Sequence, residues 1–182
     1  MGSTPTLGTK KNVLVMAKIL KVPMKGQWYD FDCGVAITYS ILRYLKIKVS
    51  YEDVLKTSKV CPVNGIKPNK LINLFKKFGL NAVCENDKNI RFLIKQINAN
   101  NPVIVLIQCR KEYKKSWAST WAHGHYVVVI GYDKNRVFIF DPSMGGSIKT
   151  FTHKQFYGRW HDYSKNNTYI RTVIYIDDEN EK

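Results

Sequence analysis

The sequence is short of acidic residues, has no Cys-x-x-Cys pair, no long apolar run and no internal repeat. Each absence excludes something. The longest apolar stretches, Val13 to Ala17 and Pro102 to Ile107, fall far below the ~20 residues that a membrane-spanning helix needs. The four cysteines, Cys33, Cys61, Cys84 and Cys109, are spaced too widely for a zinc ribbon or a thioredoxin-type redox pair. Nothing suggests secretion, so a reduced, cytoplasmic protein with free thiols is expected. Asp and Glu number only 14 against 29 Lys and Arg, a formal charge of +15. The excess is spread thinly: residues 1–84 carry 14 basic and 4 acidic groups, and residues 85–182 carry 15 and 10. Lys outnumbers Arg 23 to 6, and no cluster of Arg forks is present for reading bases or phosphates, which argues against nucleic acid as the main partner. A positive field suits acidic substrates or a membrane surface. No pattern bears on the oligomeric state.

What is there reads as one domain. Residues 1–12, rich in Gly, Ser, Thr, Pro and Lys, form a flexible lead-in, and residues 13–182 form the domain. Met1-Gly2 and the residues after it fit the permissive N-myristoylation pattern. From Cys33 to Lys46 the spacing predicts a helix apolar nearly all round, which belongs in the middle of a domain. Ser50 to Asp53 reads as a capping box opening a short helix to about Ser58. Pro68 starts a helix with Leu71, Ile72, Phe75 and Phe78 inward, ended by Gly79. Another runs from about Asn89 to Ala99. The period then changes, and Val103 to Cys109, Tyr126 to Tyr132, Arg136 to Asp141 and Tyr169 to Ile176 read as strands. Helices first and an antiparallel sheet afterwards make the class α+β.

The chemistry sits in Gln27-Trp28-Tyr29-Asp30-Phe31-Asp32-Cys33-Gly34. A cysteine at a helix N-terminus meets unpaired N–H groups and the positive end of the helix dipole, both of which favour thiolate. Gly34 lets another chain approach the sulfur. The Gln27 amide, six residues earlier, can reach the oxygen of a tetrahedral intermediate beside the Cys33 N–H. A nucleophile needs a base, and His125, between Gly124 and Tyr126, opens a very apolar strand. Asp141, before Pro142, ends the neighbouring strand. With the turn near Lys134, it falls almost opposite His125 and can orient the ring.

Blander readings apply elsewhere. Cys61, Cys84 and Cys109 read as small core hydrophobes, and His153 and His161 as surface residues. His123 and His125 share a strand face and could join Cys33 on a metal, but no further ligands are evident, so no metal or cofactor is expected. Trp117 and Trp121 lie in a long link, as packing or as a lid facing substrate.

Gln-x5-Cys-Gly, then Gly-His-Tyr-Val-Val-Val, then Phe-Asp-Pro-Ser together resemble the papain-like cysteine peptidases. The match is closest to the bacteriocin-processing, double-glycine-leader peptidases and their stand-alone relatives. It extends from about Lys21 to Trp160, taking in Gly65-Ile66 and Phe156-x3-Trp160. The resemblance implies a papain-like fold, with Gln27 in the oxyanion hole, Cys33 as nucleophile, His125 as base and Asp141 as orienting residue. The stretch Arg110 to Gly124 is longer than that family's short link, and no transporter domain is attached. The expected activity is cleavage of a peptide or protein substrate through a thioester, after small residues such as Gly-Gly in a leader. Gly34, Trp121 and Gly124 are the expected substrate contacts. The alternatives are an amidase or acyl transferase with the same triad, or a silent peptide-binding relative.

Overall fold

The computed structural model describes residues 17–164 and 167–177. The lead-in, the myristoylation pattern and the apolar residues from Val13 to Met16 lie outside them.

Helix α1 (Cys33–Tyr44) runs through the middle. Val35, Ala36, Ile37 and Leu42 have no exposed surface, and a helix buried on so many sides must also satisfy its polar side chains. Thr38 and Ser40 do so by donating their hydroxyls back to the Gly34 and Ala36 carbonyls, both at 2.8 Å. Helix α2 (Tyr51–Ser58) opens where Ser50 accepts from the Asp53 N–H at 3.0 Å. The Asp53 carboxylate takes the Ser50 hydroxyl at 2.6 Å. Helix α3 (Pro68–Lys77) starts on its proline and buries Leu71, Leu74 and Phe75; Leu74 joins the expected stripe while Ile72 and Phe78 stay half-buried. Helix α4 (Ile90–Asn98) is capped by Asn89, which accepts from the Phe92 N–H at 3.1 Å.

Strands β1 (Lys18–Ile19), β2 (Ala82–Glu85), β3 (Val103–Gln108), β4 (Gly124–Tyr132), β5 (Arg136–Asp141), β6 (Ser147–Thr152) and β9 (Val173–Ile176) form an antiparallel sheet. Its order is β2-β9-β3-β4-β5-β6, with β1 also on β4. All six residues of β3 are buried, as befits a central strand covered on both faces. Helix α5 (His153–Arg159) follows β6, and β7 (His161–Ser164) with β8 (Asn167–Ile170) makes a separate two-stranded sheet.

Several features depart from the sequence reading, α5 and β7 among them. β2 intervenes between α3 and α4, and β6 is an additional strand. The expected strand from Tyr169 to Ile176 breaks at Arg171, whose φ of 47° is left-handed, so its halves serve different sheets.

The β4–β5 register carries one more departure. Next to the turn, Tyr132 pairs with Val137 and Gly131 with Phe138, but beyond it Val129 pairs with Ile139 and Val128 with Phe140. Ile130 is thus the extra residue of a bulge. Had the turn's own register continued, Asp141 would oppose Val128, on the face of β4 away from His125. The one-residue shift puts it opposite Val127, diagonal to His125 and on the same face. The bulge is held from outside. Leu20 N–H donates to the Ile130 carbonyl at 2.7 Å, and a Cβ on Gly131 would run into the Lys18 carbonyl.

Candidate active site

Cys33 is the first residue of α1, half-buried. The preceding Asp32, fully buried, gives the helix end no side-chain cap. Its carbonyl takes the Val35 N–H at 2.9 Å, and no side chain caps the N–H groups of Cys33 and Gly34 at the head. The Asp32 carboxylate instead accepts from Trp28 N–H at 3.3 Å, Tyr29 N–H at 3.1 Å and the Tyr51 hydroxyl of α2 at 2.7 Å. Burial and the bond to Asp32 together push the Tyr51 hydroxyl far above its usual pKa. Asp32 therefore fixes the turn leading into Cys33, a role that the sequence reading missed.

His125 and Asp141 are 7% and 2% exposed, and the ring Nε2 lies 2.8 Å from Asp141 Oδ1. Asp141 is the diagonal neighbour not only of His125 but of Lys149, since β6 pairs Lys149 with Ile139. Its Oδ2 accepts from Lys149 Nζ at 2.7 Å, and its Oδ1 also takes the Ser143 N–H at 2.9 Å and hydroxyl at 2.7 Å. Asp141 thus both orients the ring and opens the turn at Pro142.

Burial opposes charge on both partners. It would lower His125, but hydrogen bonds to Asp141 and to Cys33, with their negative charges, outweigh it and raise the imidazole from 6.5 to about 10. It would raise Asp141, but the bonds from His125, Lys149 and Ser143 hold that carboxyl well below its usual range. With Nε2 on Asp141, Nδ1 is the ring nitrogen left for the thiol. Both directions favour the charged pair, an imidazolium donating to a carboxylate.

Gln27 is tied to the same neighbourhood by its backbone. Its N–H donates to the Pro142 carbonyl at 3.1 Å, just past Asp141. Its side-chain N–H donates to the Tyr29 carbonyl at 2.8 Å, and its Oε1 is buried without a partner. The amide is turned to its own loop rather than to the sulfur.

A cleft of about 740 Å³ runs past Cys33 and His125. Phe31 and the loop Cys61 to Lys67 line one side, and Leu106, Trp121, Gly124, Tyr126, Asp162 and Tyr169 the other. Trp121 and Gly124 both line it. Gly34 is buried instead, and a Cβ there would collide with Ile66, so its missing side chain serves packing under the loop. The Trp121 ring packs at a tilt against His161, 4.3 Å between centroids. His161 is not a surface residue: it is 6% exposed, with Nε2 2.8 Å from the Thr120 carbonyl. Trp117 packs under the Arg159 guanidinium, 3.2 Å from its ring centre. The long link 110–123 is therefore anchored by its two tryptophans.

All four cysteines are free thiols. Only Cys84 resembles the expected core hydrophobe, and burial raises its thiol. Cys109 is exposed, and Cys61 lines the cleft, its thiol lowered by the N–H groups of Asn64 and Val63. Among the described residues no group of His, Cys, Asp and Glu is arranged to hold a metal. None of the described helices is long and apolar enough to cross a membrane.

The sequence matches the Peptidase_C39 like family over residues 19–168. No curated protein matches it. Among solved structures it is similar to a C39-like peptidase from Bacillus anthracis, with 21% identity over 88% of this chain and 98% of that one, at a TM-score of 0.66. It is also similar to the peptidase domain of Streptococcus ComA, a bifunctional ABC transporter of quorum sensing (20%, 84% and 96%, TM-score 0.62). A third is a double glycine motif protease from an AMS/PCAT transporter, solved with its leader peptide (18%, 87% and 94%, TM-score 0.59). These likenesses show the papain-like α+β fold. With the family match covering most of its length, the chain belongs to the Peptidase_C39-like family and is a cysteine-type peptidase.

Proposed function

We propose that this peptidase works through Cys33, His125 and Asp141 and cuts a leader or precursor peptide after small residues such as Gly-Gly. The observation that carries the triad is the 2.8 Å bond between buried His125 and Asp141, on a ring that faces the same cleft as Cys33 at the head of α1. In this reading the Cys33 thiolate attacks the scissile carbonyl carbon and the C–N bond breaks. His125 Nδ1–H gives its proton to the leaving amine, and water then releases the acyl group from the thioester. The Cys33 N–H, without a side-chain cap at the helix end, stabilises the oxyanion. Gln27 joins it once substrate draws its amide from the Tyr29 carbonyl.

One similar structure holds a leader peptide under the description of a double glycine motif protease, which supports small residues before the cut. The positive field supports an acidic or amphipathic leader. Free thiols support a reducing compartment, the cytoplasm. The test is a peptide series varying only the residue before the cut, read by mass spectrometry. Cleavage after Gly but not Leu is expected. Equal cleavage after both removes the small-residue preference, and transfer products in place of hydrolysis assign the triad to acyl transfer.

A further inference from the structure

One side of the cleft carries a carboxylate with no Lys or Arg ion pair among the described residues and a hydroxyl with no hydrogen-bond partner. Asp162, on β7, sits against Gly124, where a Cβ would run into its carboxylate. Gly124 lies beside His125, so the carboxylate is within about two residues' reach of the scissile bond. It is held from behind by Gln108, fully buried, whose Nε2 donates to Asp162 Oδ1 at 3.1 Å and to the His161 carbonyl at 3.1 Å. The same Gln108 accepts from His123 N–H at 2.9 Å, fixing the carboxylate relative to the start of β4. Among the described residues no Lys or Arg forms an ion pair with Asp162. Burial accordingly pushes its carboxyl above the ordinary value.

Tyr126, two residues beyond Gly124, projects to the same face of β4. Its hydroxyl is buried without a hydrogen-bond partner. Both Tyr126 and Asp162 line the cleft, with Leu106, Ile66 and Tyr169 as apolar neighbours. A pocket with apolar walls, a half-buried carboxylate and an unpartnered hydroxyl matches one kind of substrate side chain. A lysine or arginine lays its methylenes along the walls and brings its charged N–H groups to the two oxygens.

We infer that Asp162 and Tyr126 form a specificity pocket for a basic side chain within two residues of the scissile bond. The inference rests on the peptidase reading of this cleft. It is compatible with a small residue directly before the cut, since the two preferences fall on different positions. It is also distinct from the long-range field of the chain, which salt screens.

The test uses synthetic decapeptides with lysine, glutamate or norleucine fixed at one position in turn. Lysine is expected to exceed norleucine by about tenfold or more in kcat/KM at one position near the cut. Asp162→Asn, which keeps an oxygen for Gln108, should bring lysine down to norleucine there, and Tyr126→Phe should narrow the gap. A merely structural Asp162 would slow all peptides alike and leave the ratio unchanged, which overturns the inference, as does the absence of any lysine-preferring position. Binding of the same peptides, fluorescently labelled, to Cys33→Ala separates the two readings. Lysine-selective binding with no turnover by the native protein sinks the triad and keeps the pocket. Turnover without lysine preference does the reverse.

Discussion

The helical and sheet walls of the cleft hold their reactive groups by different means. Cys33 is placed locally: a helix begins there, and Asp32 ties the preceding turn to α2 through three hydrogen bonds. His125 and Asp141 are placed non-locally, by the pairing of two strands and the bulge that shifts their register. The thiol is half-exposed, whereas the imidazole and carboxylate are buried and charged. The helical wall can thus lose its reactive atom at little structural cost, and the sheet wall cannot.

Removing each group tests that contrast most strongly. Cys33→Ala and His125→Ala should both lower peptide cleavage by on the order of 10⁴-fold or more. Only His125→Ala should also destabilise the fold, by about 3 kcal/mol in denaturant unfolding, because it leaves the Asp141 charge buried without its main partner. Equal stability of the two variants would erase the distinction.

Next comes Asp141→Asn, expected to cost about 10³-fold in kcat and to change the pH profile. Asp141 and Cys33 keep the His125 proton up to about pH 10, so cleavage should persist into the alkaline range and fall as pH passes that value. The variant should bring the fall towards neutrality. Stability follows the same shifts. The contribution of His125 is complete below 6.5 and lost as pH rises through about 10. That of Asp141 is complete above 3.8 and lost as pH falls through its depressed value. Melting curves should therefore show the bond contributing most between pH 3.8 and 6.5.

The local anchor is worth less. Asp32→Asn leaves one oxygen for three donors, and should reduce kcat by roughly thirtyfold and stability by about 2 kcal/mol. Smallest is an effect on alkylation by iodoacetamide at pH 6, followed by peptide mapping. His125→Ala should slow labelling of Cys33 by about tenfold, as the imidazolium beside it is lost. Cys61 should be unaffected, since backbone N–H groups lower its thiol. Parallel slowing of both sites would mean that the variant had loosened the whole cleft.

The same division decides what was legible in the sequence. Signals carried by neighbouring residues were readable: the cap at Ser50, Pro68 at the head of α3, and Cys33 opening an apolar helix. So was the β4–β5 hairpin, whose turn residues lie between two β-rich runs. Features set by distant chain were not. The weakly patterned β2 and β6 become strands by joining the two edges of an existing sheet. His161 looks polar and solvated until Thr120 and Trp121 close over it. Lys149 reaches Asp141, and Asp162 reaches the cleft, only through strand pairing that spacing does not reveal. The spacing of His125 and Asp141 was readable, but the register that brings them together was not.

That register gives the amino-terminal segment an influence its own residues do not advertise. Lys18, Ile19 and Leu20 contribute nothing to the cleft, yet they stitch the bulge: Leu20 holds the Ile130 carbonyl, and the Lys18 carbonyl closes over Gly131. Trimming the chain past Leu20, by a protease or by a truncated gene, would strip the donor from Ile130 and uncover the irregular stretch of β4. The residue so released lies five positions from His125 and on the path that aligns it with Asp141. A cut more than one hundred residues upstream of His125 would then be felt as a loss of its alignment with Asp141, with both side chains still in the polypeptide.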